Sequence, residues 1–108
     1  MDLKNIVNQP GVTIVDVRET YEFAMGHARG AINITLSSLM NRIPEFRKMN
    51  TPIVVYCRSG SRSGQARQLL QANGIQEVYN GGGLSDMEYY QGKTEKARSG
   101  FLSKLFNV

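Results

Sequence analysis

The chain has 108 residues, of which 41% are hydrophobic and 20% are charged. This length suits one compact domain and is too short for two, and the hydrophobic fraction is typical of a globular protein. The longest apolar run covers residues 53–57, whereas a membrane-spanning helix needs roughly 20 residues, so the sequence predicts no membrane span. The first residues include an acid and lack an apolar stretch, so no signal peptide is visible.

The formal net charge of +4 is concentrated at one end of the chain. Residues 1–90 carry nine lysines and arginines against eight acids, whereas residues 91–108 carry four against one. The excess is therefore a basic tail and not a basic face. Because the chain also lacks an aromatic platform and a known nucleic-acid motif, we do not expect it to bind nucleic acid.

Cys57 is the one cysteine of the sequence, and His27 is the one histidine. A single cysteine excludes an intramolecular disulfide and any CxxC metal or redox site. A structural zinc site needs four ligands of the Cys or His type, so none is predicted. We expect neither a metal nor another cofactor.

Strands and helices alternate in the first half of the chain. Residues 12–17 are β-branched and apolar, which predicts a strand buried on both faces. Residues 19–25 predict a short helix or turn, and residues 31–34 predict a second short strand. Apolar residues at helical spacing over 36–43 predict a helix that extends as far as Pro44.

The second half repeats this alternation. Residues 51–56 form the clearest strand pattern, and residues 61–73 predict a helix with Gly74 as its C-cap. Residues 77–79 predict another strand, after which the three glycines at 81–83 are expected to break the chain. Strands that alternate with helices predict a mostly parallel sheet covered on both faces.

The sequence divides into a domain at residues 1–90 and a basic C-terminal tail at 91–108. The tail holds an apolar stripe that would suit a short helix, formed by Phe101, Leu102, Leu105 and Phe106. We expect a monomer in the cytoplasm, or in the periplasm if the chain is a trimmed mature form.

Cys57 lies between the clearest strand and the following helix, where ligands bind in parallel α/β folds. A small, glycine-containing basic loop follows it: Arg58, Ser59, Gly60, Ser61 and Arg62. Such a loop can turn its backbone N–H groups inward around an anion, and the helix dipole adds positive potential. This setting typically lowers a cysteine pKa from about 8.5 to somewhere between ~3.5 and 7.5. The alternative is that Cys57 is a small buried hydrophobic residue, as free cysteines often are.

Three segments together carry a family resemblance. Residues 16–34 resemble the N-terminal signature of the rhodanese-like domain family, and residues 55–63 resemble its six-residue active-site loop with the start of the next helix. Residues 78–82 resemble its last strand and glycine pair. Within the family, the chain is most similar to the single-domain, phage-shock-protein-E-like thiosulfate sulfurtransferases. The family often has a tryptophan after the glycine pair, and this chain has none.

The resemblance implies a five-stranded parallel sheet flanked by helices on both faces, and an enzyme that transfers sulfur. The Cys57 thiolate would attack the outer sulfur of thiosulfate, or of a polysulfide, and sulfite would leave thiosulfate. A persulfide would remain on Cys57, held by the N–H groups of residues 58–62, while Arg58 and Arg62 would hold the sulfonate end of the donor. Because the chain has no second cysteine, the acceptor must come from outside: cyanide, a thiol or a protein cysteine.

Three other functions compete with this one. Cysteine-loop phosphatases and arsenate reductases place an arginine six residues after the cysteine, where this chain has Ser63, and Arg62 falls one position earlier. The shorter loop suits an extra sulfur atom better than a tetrahedral oxyanion. A non-catalytic binding module is a second alternative, although many such domains lack the cysteine. A persulfide carrier that docks a partner through its basic tail is the third.

Residues outside the cysteine loop receive mainly structural interpretations. Asp16 and Arg18 are expected to brace the loop through an ion pair with Glu19 or Glu22. His27 is expected to belong to a structural turn, because an ionised thiol needs no catalytic base. The glycines at 81–83 are expected to form a turn near the active site, since no phosphate-binding Lys-Ser/Thr pair follows them.

Overall fold

The computed structural model describes residues 2–92, so the predicted tail lies outside the described residues from position 93 on. The described elements are α1 (Leu3–Val7), β1 (Thr13–Asp16), α2 (Thr20–Met25), β2 (Ile32–Asn33), a 3₁₀ helix (Leu36–Arg42), α3 (Ile43–Arg47), β3 (Ile53–Cys57), α4 (Ser61–Ala72), β4 (Val78–Gly83) and α5 (Leu84–Gln91). Strands and helices alternate as the sequence predicts.

The strands form one parallel sheet in the order β2-β1-β3-β4. The described residues therefore hold four strands, and the five-stranded sheet that the family resemblance implied is wrong for this part of the chain. The residues before β1 form α1, and the Asp2 carboxylate caps this helix by accepting a hydrogen bond from the Asn5 N–H at 2.9 Å. Ile6 and Val7 of this helix are buried in the core.

The two faces of the sheet bury different side chains, since successive strand residues point to opposite sides. Val15 and Val55 belong to a core cluster that includes side chains from α3 and α4. Ile14 and Val54 belong to a second cluster that includes side chains from α1 and α5. Helices thus cover both faces, as predicted, and every residue of β3 is buried.

The helix predicted over residues 36–43 is a 3₁₀ helix over Leu36–Arg42, and the chain continues as α3, in whose first turn the missing N–H and fixed φ of Pro44 are tolerated. One local expectation is wrong. The glycines at 81–83 do not break the chain, because β4 continues through Gly83 and leads directly into α5. The sequence analysis also did not foresee α1 or α5, each of which is short.

A buried polar network links the ends of β1 and β3. The Arg18 guanidinium forms an ion pair with Asp16 at 2.6 Å and donates to the Gly26 carbonyl at 2.7 Å. The expected partners Glu19 and Glu22 are therefore wrong for Arg18, which reaches the nearer carboxylate that is buried beside it. The hydrogen bond with Asp16 raises the pKa of Arg18.

The Tyr56 hydroxyl completes this network from the neighbouring strand. It donates to Asp16 Oδ2 at 2.7 Å and accepts from the Ala28 N–H at 2.9 Å. Burial and the adjacent carboxylate together raise the pKa of Tyr56, although the Ala28 N–H acts in the other direction. The network fixes the segment after β1 against β3, which ends at Cys57.

The substitution Tyr56→Phe should destabilise the fold by about 1–3 kcal/mol, because it leaves the buried Ala28 N–H without an acceptor. Urea unfolding measured by circular dichroism checks this, with Tyr89→Phe as the control because Tyr89 is 72% exposed. A loss for Tyr56→Phe no greater than that of the control would contradict the assigned role of the hydroxyl.

Candidate active site

Cys57 is the last residue of β3, and α4 begins four residues later at Ser61. The strand and the helix lie where the sequence places them. Gly60 occupies the N-cap of α4 with φ +99°, a left-handed conformation that favours glycine. This turn brings the first N–H groups of α4 back towards the Cys57 side chain, which is 0% exposed.

Backbone N–H groups and one hydroxyl surround the sulfur of Cys57. The Gly60 N–H lies 3.0 Å from Sγ, and the Ser63 N–H and hydroxyl oxygen each lie 3.4 Å from it. Burial by itself raises the pKa of the thiol, but hydrogen bonds from Ser63 and from the N–H groups of Ser59 and Gly60 outweigh it and lower the pKa below its ordinary value. The site therefore favours a thiolate, which is the nucleophilic form of cysteine.

Asn80 of β4 holds this arrangement in place. Its Oδ1 accepts from the Ser63 hydroxyl at 2.7 Å and from the Gly82 N–H at 2.9 Å, while its Nδ2 donates to the Gly60 carbonyl at 3.0 Å. These bonds fix the orientation of the amide and connect the loop to β4. The Ser63 hydroxyl has one proton and can direct it to Asn80 or, when Cys57 is ionised, to Sγ.

Sequence reasoning did not assign a role to Ser63 or Asn80. Both residues entered only as parts of segments that resemble the family, and Ser63 also as the residue at the sixth position after the cysteine. Their contact joins positions 17 residues apart, so no local pattern could have paired them. The order of the parallel strands, in which β3 and β4 are neighbours, is the signal that relates them.

The glycines of β4 allow its backbone to pass close to the loop. A Cβ on Gly83 would collide with the Arg58 carbonyl group, and one on Gly81 would lie 2.6 Å from the Met87 sulfur. The pairing of β3 with β4 also shifts here, because Val55 lies opposite Asn80 whereas Cys57 lies opposite Gly83. These glycines therefore lie beside the cysteine loop, as expected, but they form the end of β4 and not a separate turn.

The two loop arginines have different environments. Arg62 forms a bidentate ion pair with Glu22 of α2, at 2.7 Å and 3.2 Å. The helix dipole disfavours an arginine near the start of α4, and Glu22 supplies the negative partner. Arg58 is exposed and forms no ion pair within residues 2–92. Ser59 and Ser61 are exposed, and the Ser59 backbone N–H acts on Cys57.

His27 contacts Phe23 of the same turn. The two rings stack with their centroids 3.8 Å apart, and His27 Nδ1 lies 2.9 Å from the Phe23 carbonyl oxygen. These contacts agree with the structural role expected from the sequence.

A pocket of about 600 Å³ opens beside the cysteine loop. It is lined by residues that follow β1, β3 and β4: Arg18, Tyr21, Glu22, Met25, Gly26, Arg58, Leu84, Ser85 and Glu88. Cys57 is buried and is not among the lining residues, whereas the adjacent Arg58 forms part of the pocket wall. Within residues 2–92, no group of three or more His, Cys, Asp or Glu side chains is arranged to hold a metal ion. None of the described helices is long and apolar enough to cross a membrane.

The Glu22–Arg62 pair should make stability depend on pH. The hydrogen bond from Arg62 lowers the pKa of Glu22 from 4.5 to about 2. A carboxylate with a lowered pKa stabilises the folded state above the unfolded value, so this contribution should disappear as pH falls from about 4.5 to about 2. Urea unfolding across this range checks it, and Glu22→Gln should lose less stability than the wild type over the same interval. Glu77→Gln, at an exposed position, provides the control. If the unfolding free energy of Glu22→Gln falls with pH as steeply as that of the wild type, the pairing is contradicted.

The substitution Ser63→Ala should raise the pKa of Cys57, because it removes the hydroxyl donor and leaves the backbone N–H in place. The pH dependence of alkylation by iodoacetamide measures this pKa directly. Ser59→Ala is the matched control, since the backbone N–H of Ser59 is the group that acts on Cys57. If the midpoint pH of alkylation in Ser63→Ala is at or below that of the wild type, the hydroxyl is not a donor to the thiolate.

Curated relatives of this chain include sulfurtransferases, hydroxylases and uncharacterised proteins. The thiosulfate sulfurtransferase PspE of Escherichia coli is 39% identical over 74 residues, which cover 68% of this chain and 71% of that protein. The uncharacterised protein YqhL of Bacillus subtilis is 48% identical over 67 residues, covering 62% of this chain, and the chain spans about half (52%) of that relative's length. A tRNA uridine(34) hydroxylase of Picosynechococcus is 33% identical over 95 residues, covering 81% of this chain but 32% of that protein.

The solved structures include a rhodanese with anions from Escherichia coli. It superposes with a TM-score of 0.64 at 38% identity and covers 69% of this chain and 89% of that one. The model of the rhodanese-like domain family matches residues 1–87. Since this match includes the whole sheet and the cysteine loop at the end of β3, the chain belongs to the rhodanese-like domain family.

Proposed function

We propose that this protein is a thiosulfate sulfurtransferase that carries a sulfane sulfur on Cys57 and passes it to a thiophilic acceptor. The observation that carries the proposal is the position of the Cys57 sulfur at the start of α4, where the N–H groups of Gly60 and Ser63 point at it. The similarity to PspE, a thiosulfate sulfurtransferase of Escherichia coli, supports the same reaction.

In the first step, the Cys57 thiolate attacks the outer sulfur of thiosulfate. The bond between the two sulfur atoms of thiosulfate breaks, its electron pair leaves with sulfite, and a persulfide forms on Cys57. The hydrogen bonds that lower the pKa of Cys57 raise the fraction of the side chain present as the nucleophilic thiolate. The backbone N–H groups of residues 58–62 would then stabilise the negative charge of the persulfide, as an oxyanion hole stabilises oxygen.

The two arginines have unequal access to the donor. The Arg62 guanidinium already donates its hydrogen bonds to Glu22. It is therefore not free to bind the donor directly, although its positive charge still contributes to the local potential. Arg58 is exposed on the pocket wall and is the arginine available to hold the sulfonate end of thiosulfate. A polysulfide remains a second candidate donor because the attacked atom is again a sulfane sulfur.

The same geometry gives less support to phosphatase chemistry. Ser63 stands at the sixth position after Cys57, and its hydroxyl lies 3.4 Å from Sγ. The preceding Arg62 turns away to Glu22 on α2. A tetrahedral oxyanion on Cys57 would therefore lack the arginine that the phosphatase loop supplies at that position.

In the second step, an external acceptor removes the outer sulfur, because the sequence holds no second cysteine that could resolve the persulfide. A persulfide carrier would share the first step and differ only in that its acceptor is a specific protein. Cyanide, small thiols and protein cysteines are all chemically competent to receive the sulfur.

Thiocyanate formation from thiosulfate and cyanide tests the proposal. The wild type should produce thiocyanate, whereas Cys57→Ser should lose this activity completely while keeping the wild-type circular dichroism spectrum. p-Nitrophenyl phosphate serves as the control substrate and should not be hydrolysed. Thiocyanate formation retained in Cys57→Ser, or phosphate release by the wild type, would contradict the proposed chemistry.

A further inference from the structure

The pocket beside the cysteine loop is much larger than a small inorganic anion requires. Its volume of about 600 Å³ falls within the ~300–1,000 Å³ typical of pockets that bind organic ligands. It is formed at the carboxyl edge of the sheet by the segments after β1, β3 and β4, which is the usual position for ligands in parallel α/β folds. Thiosulfate would therefore leave most of it unfilled.

Four charged side chains line the pocket, and two of them already have ionic partners. Arg18 is paired with Asp16, and Glu22 is paired with Arg62. The remaining two are Arg58, from the loop after β3, and Glu88, from α5. Neither forms an ion pair or a side-chain hydrogen bond with the rest of residues 2–92. The pocket thus presents one uncommitted positive charge and one uncommitted negative charge.

Apolar groups stand beside these charges. Tyr21 and Met25 of α2 are 67% and 84% exposed, and Leu84 is partly buried at the start of α5. Such side chains can cover the aliphatic part of a small ligand while the two charges orient its ends.

We propose that this pocket binds the sulfur acceptor, and that the acceptor is a small organic thiol with both a carboxylate and an ammonium group, as in cysteine. Arg58 binds the carboxylate and Glu88 binds the ammonium. This inference rests on the proposed sulfurtransferase function and adds to it the chemical class of the acceptor. Because Arg58 directly follows Cys57, a ligand held by Arg58 lies next to the cysteine loop.

The transfer step balances without an oxidant or a reductant. The acceptor thiol first loses its proton to solvent, and the resulting thiolate attacks the outer sulfur of the Cys57 persulfide. A new S–S bond forms between the acceptor and that sulfur. The S–S bond of the protein persulfide breaks, and its electron pair returns to Cys57 Sγ as the thiolate.

The test measures single-turnover transfer from the persulfide form of the full chain to four thiols, with rates compared per thiolate. Cysteine carries both charges, cysteamine the ammonium alone, 3-mercaptopropionate the carboxylate alone, and N-acetylcysteine amide neither. For the wild type we expect the transfer rate to fall about fivefold for each missing charge, which corresponds to ~1 kcal/mol.

Two variants assign each charge to its partner. Arg58→Gln should abolish the advantage of cysteine over cysteamine and keep its advantage over 3-mercaptopropionate. Glu88→Gln should abolish the advantage of cysteine over 3-mercaptopropionate and keep its advantage over cysteamine. Glu77→Gln is the matched control, since Glu77 is exposed and lies outside the pocket lining, and it should leave both ratios unchanged.

Three outcomes would overturn the inference. Equal rates for all four thiols would show that the pocket does not select by charge. Equal rates for cysteine and N-acetylcysteine amide would indicate a protein cysteine as the acceptor. Ratios that stay unchanged in Arg58→Gln and Glu88→Gln would remove these two residues from acceptor binding. If thiosulfate loads Cys57 but the thiols are not distinguished, the inference fails alone; if Cys57 is never loaded, the proposed function fails with it.

Discussion

The candidate active site depends on the convergence of backbone N–H groups on one buried sulfur atom. Burial alone would keep Cys57 neutral and unreactive, as it does for most free cysteines. The hydrogen bonds from Gly60, Ser59 and Ser63 outweigh that penalty and favour the thiolate. These donors are available because they belong to the loop and the first turn of α4, where N–H groups have no partner within the helix. The hydrogen bonds that satisfy the unpaired N–H groups at the start of α4 therefore also favour the nucleophilic thiolate of Cys57.

The surrounding contacts hold these donors in position. Asn80 connects the Gly60 carbonyl and the Ser63 hydroxyl to β4, and the glycine at position 83 lets β4 pass against the loop. The Arg62–Glu22 pair joins the first turn of α4 to α2 on the other side. Most of these contacts are between elements that are distant in sequence and adjacent in the sheet, so the fold itself organises the site.

The sequence predicts the local part of this arrangement well and the long-range part poorly. The alternating strands and helices, the strand that ends at Cys57, and the glycine-containing turn before α4 all have local patterns. The bond from Tyr56 to Asp16 and the role of Asn80 depend on which strands are neighbours, which no local pattern encodes. The helix α5 was missed because its eight residues show weak amphipathic periodicity. The fifth strand came from family resemblance alone, and the described residues form a sheet of four strands.

The most direct test of the central claim is the intact mass of the protein after incubation with thiosulfate in the absence of an acceptor. We expect one added sulfur atom per chain, located on Cys57 by peptide mapping and removed by cyanide. The addition should be labile to reducing thiols. A mass that stays unchanged, or a sulfur addition on any residue other than Cys57, would contradict the claim that the N–H groups at the start of α4 stabilise a persulfide.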